Sequence, residues 1–289
     1  MTASLCRHAT SIATVSLSGT LPEKLEAAAA AGFDGVEIFG NDLLEFAGTP
    51  ADVRRMANAL GLEILLYQPF RDFEAMPADQ FAGNMARAER TFDVMEQLGA
   101  DMVLVCSNVQ EAAIDDPDRA AADLRQMAEA AAKRGLRVGY EALAWGRHVR
   151  HWRQAWDIVQ RAAHPSLGLI LDSFHTLALG ASQGESLADS LRGIENVPAA
   201  RLFFVQLADA PRLSMDVLSL SRHYRNFPGQ GELAVTDFAR AVQQTGYDGP
   251  FSLEIFNDVF RASPARPVAQ DGLRSLRWLE DHVSPAAPN

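Results

Sequence analysis

The chain has 289 residues, 48% of them hydrophobic, enough for one large domain with a well-buried core and close to the usual length of a (β/α)8 barrel. A formal charge of -11 and a pI of about 5.1 speak against nucleic acid as a partner, although a local arginine or histidine cluster could still receive a small anion. The two cysteines, Cys6 and Cys106, are too far apart for a disulfide framework or a zinc-ligand spacing. No basic start precedes an apolar run, and no stretch approaches about 18 apolar residues. The expected setting is therefore the reducing cytoplasm, with no membrane partner.

Short apolar runs alternate with longer amphipathic ones. Val15 to Ser18 ends a weak first strand, and Leu21 to Ala31 reads as a helix. Gly35 to Phe39 is a strand, Pro50 to Leu60 a helix closed by Gly61, and Leu62 to Tyr67 a strand. Next come a helix from Asp79 to Leu98 ending at Gly99, a strand from Met102 to Cys106, and a helix from Pro117 to Arg134. Arg137 to Glu141 is a strand, Trp152 to Ala163 a helix, Leu167 to Asp172 a strand, and Ser186 to Glu195 a helix. Leu202 to Gln206, the helix Val235 to Thr245, the strand Phe251 to Ile255 and the helix Arg266 to His282 complete the chain before a frayed tail from about residue 284. Eight strand–helix beats with apolar strands predict an α/β fold, a (β/α)8 TIM barrel formed by residues 1–289 as one domain. A doubly wound open sheet would want a glycine-rich phosphate turn after an early strand, and Ser16-Leu17-Ser18-Gly19 is not one.

In such a barrel the chemistry lies at the C-terminal strand ends. Four successive strands end in Glu141, Asp172, Gln206 and Glu254. They recur at about one β/α unit, roughly 31 residues, with a longer insertion before the last. Any one alone reads as an ordinary polar residue at a strand end. Together they bring three carboxylates to one place, where not all can stay ionised unless a cation joins them. Oxygen ligands suit a hard divalent ion, Mg²⁺ or Mn²⁺ (with Co²⁺ as a further candidate), better than zinc. Glu37 could face the same mouth, whereas Glu63 lies too near a strand start.

These four residues, with the Asp172-Ser173-Phe174-His175 run, resemble the metal site of the xylose-isomerase-like TIM barrels, a group of sugar isomerases, ketose epimerases and dehydratases. Gln206 stands where many relatives carry histidine, which points away from the epimerases. Within the group the chain resembles the bacterial 3-dehydroshikimate dehydratases, through Tyr67-Gln68-Pro69-Phe70-Arg71, Tyr140-Glu141-Ala142, Val205-Gln206-Leu207, Arg222-His223-Tyr224-Arg225 and Leu253-Glu254-Ile255. Some members of that group carry a second, dioxygenase-like domain after the barrel.

The resemblance implies a hydro-lyase converting 3-dehydroshikimate to protocatechuate in aromatic-compound catabolism, either quinate and shikimate degradation or siderophore-precursor supply. A proton made acidic by the ketone would leave, with the metal stabilising the enolate, and loss of hydroxyl would make the ring aromatic. His175 is the first candidate for acid or base and His148 its partner, although His148 also fits a solvated basic run. The substrate, a small anionic polyhydroxylated molecule, carries a carboxylate that Arg71 or Arg225 could clamp, and Tyr67 could donate a hydrogen bond. Barrels of this group often associate, so a homo-oligomer is in view. The alternative activity is a sugar or inositol-derivative isomerase, epimerase or dehydratase on the same metal site. An abasic-site nuclease would need a histidine-rich site and a basic face, and a non-catalytic sensor would not need all four oxygen donors.

Overall fold

A computed structural model describes residues 8–283. In chain order these form β1 Thr10–Ala13, α1 Leu21–Ala31, β2 Gly35–Phe39, α2 Gly40–Glu45, α3 Pro50–Ala59, β3 Glu63–Phe70, α4 Phe81–Leu98 and β4 Met102–Cys106. Then follow α5 Pro117–Ala132, β5 Arg137–Glu141, α6 Trp152–Ala162, β6 Leu167–Asp172, α7 Ser173–Gln183, α8 Leu187–Leu191 and β7 Leu202–Leu207. The last are α9 Val217–His223, α10 Val235–Gln244, β8 Phe251–Leu253, α11 Asp258–Arg261 and α12 Ala265–Val283. All eight strands pair in parallel with their sequence neighbours, and β8 closes on β1. The expected barrel is what forms. Cys6 and the tail from about residue 284 lie outside the described residues.

The barrel has two apolar layers. Outward-facing strand residues such as Val103, Val105, Val138 and Leu171 pack against the helices. Leu66, Met102, Leu104, Ile170 and Phe204 form a separate cluster that fills the barrel interior below the polar strand ends. Gly139 belongs to that interior, since a Cβ there would run into the Ile170 side chain.

Two expectations change. The first strand is Thr10–Ala13, not a segment ending in Val15–Ser18, because Asp34 holds Thr10 through both its N–H and its hydroxyl at 2.8 Å. Val15 instead turns over the mouth and packs with Ala13 and Phe256. The helix expected at Ser186–Glu195 reduces to α8 and a 3-10 turn at Ile194–Asn196, and the principal helix after β6 is α7. Its residues Ser173 to Gly180 are all buried, so it lacks the amphipathic stripe by which a helix is read in sequence.

Helix α6 ends at Ala163 with φ 49°, a left-handed conformation that costs an L-residue about 1–2 kcal/mol and that glycine adopts freely. Ala163→Gly should therefore stabilise the fold by about 0.5–1 kcal/mol after glycine's larger unfolded-state entropy is subtracted, read as a higher urea midpoint at unchanged m-value.

Candidate active site

The register of the barrel gathers the polar strand ends. Asp172 pairs with Gln206 across β6 and β7, and the Glu254 N–H lies 3.4 Å from the Leu207 carbonyl. Glu141, Asp172, Gln206 and Glu254 are all buried. Asp172 also starts α7: its Oδ1 accepts the Phe174 N–H at 2.6 Å, which leaves Oδ2 turned into the barrel mouth. Below them Glu37, fully buried, accepts hydrogen bonds from Gln68 Nε2 at 2.8 Å and Gln206 Nε2 at 2.7 Å, and from the Ser252 hydroxyl. Burial, reinforced by the nearby Glu254 carboxylate, pushes Glu37 up to about 8.

These hydrogen bonds orient the residues above. With Gln206 Nε2 on Glu37, the free end of its amide is Oε1, which is buried without a partner. Glu141 Oε1 is buried and unpartnered as well, while its Oε2 meets only the Cys106 thiol at 3.7 Å. Burial, and then the neighbouring Glu254 and Asp172 carboxylates, drive the Glu141 carboxyl well above its usual range. Two unsatisfied acceptor oxygens among crowded carboxylates fit a divalent cation, because unpaired buried acceptors cost free energy and their mutual repulsion needs positive charge. Glu141, Asp172 and His175 offer ligand atoms within 4.8 Å of one another. The small cavity at this floor, about 20 Å³, accommodates one water-sized occupant.

Arg225 partly answers the repulsion. Its guanidinium, 1% exposed, donates from Nη1 to Asp172 Oδ2 at 2.7 Å and Glu254 Oε2 at 3.0 Å, and from Nη2 to the Ser221 hydroxyl at 2.8 Å. Burial alone would lower its pKa, but the Asp172 and Glu254 charges outweigh this and hold it above the ordinary arginine value. Arg225 is thus committed to the carboxylates rather than displayed at the rim.

His175 is held from both sides. Its Nδ1 accepts the Ala144 N–H at 3.2 Å and its ring lies 4.9 Å from the Trp145 ring. Nε2 faces Asp172 Oδ2 at 3.8 Å and Glu141 Oε1 at 4.0 Å. Burial lowers its pKa to about 3 against the opposing pull of Asp172, so the ring is neutral, and Arg225 Nη2 stands 3.2 Å from its Nε2.

The remaining candidates divide. Arg71 lines both the small cavity and a wider cleft of about 580 Å³ that also holds Tyr67. Arg222, which sequence reasoning missed, lines both as well, with its guanidinium 5.8 Å from the Trp145 ring and 5.5 Å from the Phe256 ring. The clue was present: Arg222 lies in the last turn of α9, within the Arg222-His223-Tyr224-Arg225 segment that runs on past the helix end. His148 sits elsewhere, its Nε2 meeting the Ala113 carbonyl at 3.0 Å and its Nδ1 3.7 Å from Asp115. At the turn of residues 228–231 the Asp209 carboxylate accepts the Gly229 and Gly231 N–H groups at 3.1 and 3.0 Å.

A second buried carboxyl lies outside this group. Glu74 accepts the Asn108 N–H at 2.6 Å and the Tyr140 hydroxyl at 2.9 Å, and burial raises it to about 7. An acid whose folded pKa exceeds its unfolded value of about 4.5 stabilises the fold fully below that value and loses the contribution as pH rises through 7. Glu74→Gln should therefore gain on the parent chain by about 3 kcal/mol between pH 4.5 and 7.5, at 1.36 kcal/mol per pKa unit, measured by urea unfolding across that range.

The comparisons with known proteins agree with this geometry. Residues 25–281 match the family model described as xylose isomerase-like TIM barrel. The chain belongs to that family. It is 62% identical over 271 residues to a 3-dehydroshikimate dehydratase of Pseudomonas aeruginosa, an alignment covering 94% of this chain and 42% of that protein. A 3-dehydroshikimate dehydratase of Neurospora crassa is 28% identical, with 82% of each chain covered. The solved structure of a xylose isomerase-like TIM barrel/4-hydroxyphenylpyruvate dioxygenase fusion protein superposes with a TM-score of 0.91 at 58% identity, covering 96% of this chain and 43% of that one. The chain thus spans about two fifths of the length of its Pseudomonas relative. Among the described residues no helix is long and apolar enough to cross a membrane.

Proposed function

We propose that this barrel is a divalent-metal-dependent hydro-lyase that dehydrates 3-dehydroshikimate to protocatechuate in the cytoplasm. The observation that carries this reading is the layering of the mouth: a floor of buried carboxylates and unpaired acceptors lies beneath a rim bearing Arg71 and Arg222. A floor of that kind calls for a cation, and a rim of that kind calls for an anionic substrate. The dehydratases of Pseudomonas and Neurospora supply the substrate's identity.

Glu141, Asp172, Gln206 and Glu254 would hold the ion, with Mg²⁺, Mn²⁺ or Co²⁺ as the hard-ligand choices. A bound ion would supply Lewis-acid polarisation of the substrate ketone. The wider cleft is of ligand size, and its shared wall puts Arg71 and Arg222 where a carboxylate would lie. His175, its Nε2 facing the floor, is the group placed to move a proton as the hydroxyl departs as water. Trp145 and Phe256 give the small cavity an aromatic part of its wall.

The test is ultraviolet detection of protocatechuate from 3-dehydroshikimate after EDTA treatment and readdition of each of the three metals. Product that appears only with metal supports the assignment. Folded protein that yields none with any of them would transfer the proposal to isomerisation or epimerisation of a neutral polyol. The rim makes a separate prediction. Loss of one charge-assisted bond to the substrate is worth about 1.5–3 kcal/mol, so Arg222→Ala should lower kcat/KM by about 10- to 100-fold, mainly through KM.

A further inference from the structure

The strand pattern that builds the floor places one more polar side chain there. Along β5, β6 and β7 the interior residues Gly139, Ile170 and Phe204 are followed two positions later by Glu141, Asp172 and Gln206. Side chains two apart on a strand share a face, so each pair climbs from the packed interior to the mouth. On β3 the interior residue is Leu66, and two positions later stands Gln68. Gln68 is 2% exposed and lines the small cavity together with Glu141 and Glu254.

Two acids orient its amide. Nε2 donates to Glu37 Oε2 at 2.8 Å. The amide also hydrogen-bonds Glu254, whose carboxyl is raised by burial and drawn back by Arg225 and then by Gln68. With the nitrogen turned to these acids, Oε1 is left at the opposite end as an acceptor. Among the described residues it has no hydrogen-bond partner, and unlike Glu141 Oε1 and Gln206 Oε1 it is not sealed from the cavity that its residue lines. An acceptor so placed calls for a donor brought by the ligand.

The identity of that donor rests on the dehydratase reading. The ketone of 3-dehydroshikimate would lie over the carboxylate floor, and the carbon beside it carries a hydroxyl. Arg71, Arg222 and Arg225 line the same cavity, but guanidinium groups only donate and cannot receive that hydroxyl's proton. We infer that Gln68 is a specificity-determining residue, whose Oε1 accepts a hydrogen bond from the substrate hydroxyl next to the ketone. It thereby selects ligands that carry a donor beside the carbonyl oxygen over those that carry none. An amide suits this position, because an acid would add a further charge to a floor already crowded with carboxylates.

The test is titration calorimetry of the Mn²⁺-loaded chain with the product protocatechuate and with 4-fluoro-3-hydroxybenzoate. In the product the hydroxyl beside the former ketone is the 4-hydroxyl, and fluorine there occupies its place but cannot donate. The parent chain should bind the fluoro compound about tenfold more weakly, since a buried acceptor is left unpaired. Gln68→Met, which keeps the side-chain length and removes the amide oxygen, should bind the two compounds within about twofold of each other. A parent chain that binds both within about twofold overturns the assignment, and that comparison holds even if the variant folds poorly. A variant that keeps the preference overturns it as well, because another group then reads the hydroxyl. No binding of protocatechuate would overturn both this assignment and the dehydratase reading, whereas binding that ignores the 4-position overturns only the former.

Discussion

Glu141→Gln should lose the divalent ion and keep the fold. The substitution preserves shape and removes one charge from a floor where Glu141 is driven upward by burial and by Glu254 and Asp172. Removing a group that merely orients a metal ligand costs about 10- to 100-fold in metal affinity, so neutralising a direct oxygen ligand should cost at least about 100-fold. Protocatechuate formation should fall in step, because the ketone would lose its polarising partner. Stability should move the other way. Without metal, an unpaired buried acceptor such as Glu141 Oε1 costs about 1–3 kcal/mol, and the neutral amide relieves the repulsion added to it. Mn²⁺ titration by calorimetry and urea unfolding in EDTA read the two effects separately. A variant that binds Mn²⁺ as tightly as the parent would remove Glu141 from the metal site.

The opposite signs explain what was legible in the sequence. Carboxylates at strand ends recur with the β/α unit, and that period is visible without coordinates, as in Glu141, Asp172 and Glu254. The register then does the rest, since parallel pairing places Asp172 beside Gln206. What could not be read was the chemistry that depends on side-chain direction. Glu37 lies two strands away from β8, and only barrel closure brings it under Gln206 and Ser252. His148 belongs to a basic run near the right strand, yet its ring turns to the Ala113 carbonyl in the segment after β4. Helix α7 was invisible for a physical reason, because a helix buried on all faces carries no polar–apolar period. Arg225 shows the same limit. Its sequence position suggested a substrate clamp, but the geometry turns its charge inward.

That inward charge carries the largest expected stability effect. Arg225 lies at the centre of a web that joins β6, β8 and α9 through Asp172, Glu254 and Ser221, with its guanidinium 4.5 Å from the Phe174 ring. Removing one partner of a buried ion pair is worth about 3–5 kcal/mol, because the other charges stay behind unpaired. Arg225→Met should therefore lose about that much in EDTA, more than its lost packing alone would explain, since methionine replaces much of the side-chain volume. Divalent metal should restore part of the loss. A cation bound to the floor replaces the missing positive charge, and saturation at 100 times the dissociation constant adds about 2.7 kcal/mol. The gain on adding Mn²⁺ should exceed that of the parent chain, where Arg225 and the ion draw on the same Asp172 and Glu254 oxygens. Arg225→Lys should fall between the two, because it keeps the charge but not the fork that reaches both carboxylates and Ser221. Equal losses with and without Mn²⁺ would mean that Arg225 acts by packing against Phe174 rather than as a counter-charge. Interlocking gains would instead show that arginine and metal balance one set of carboxylates.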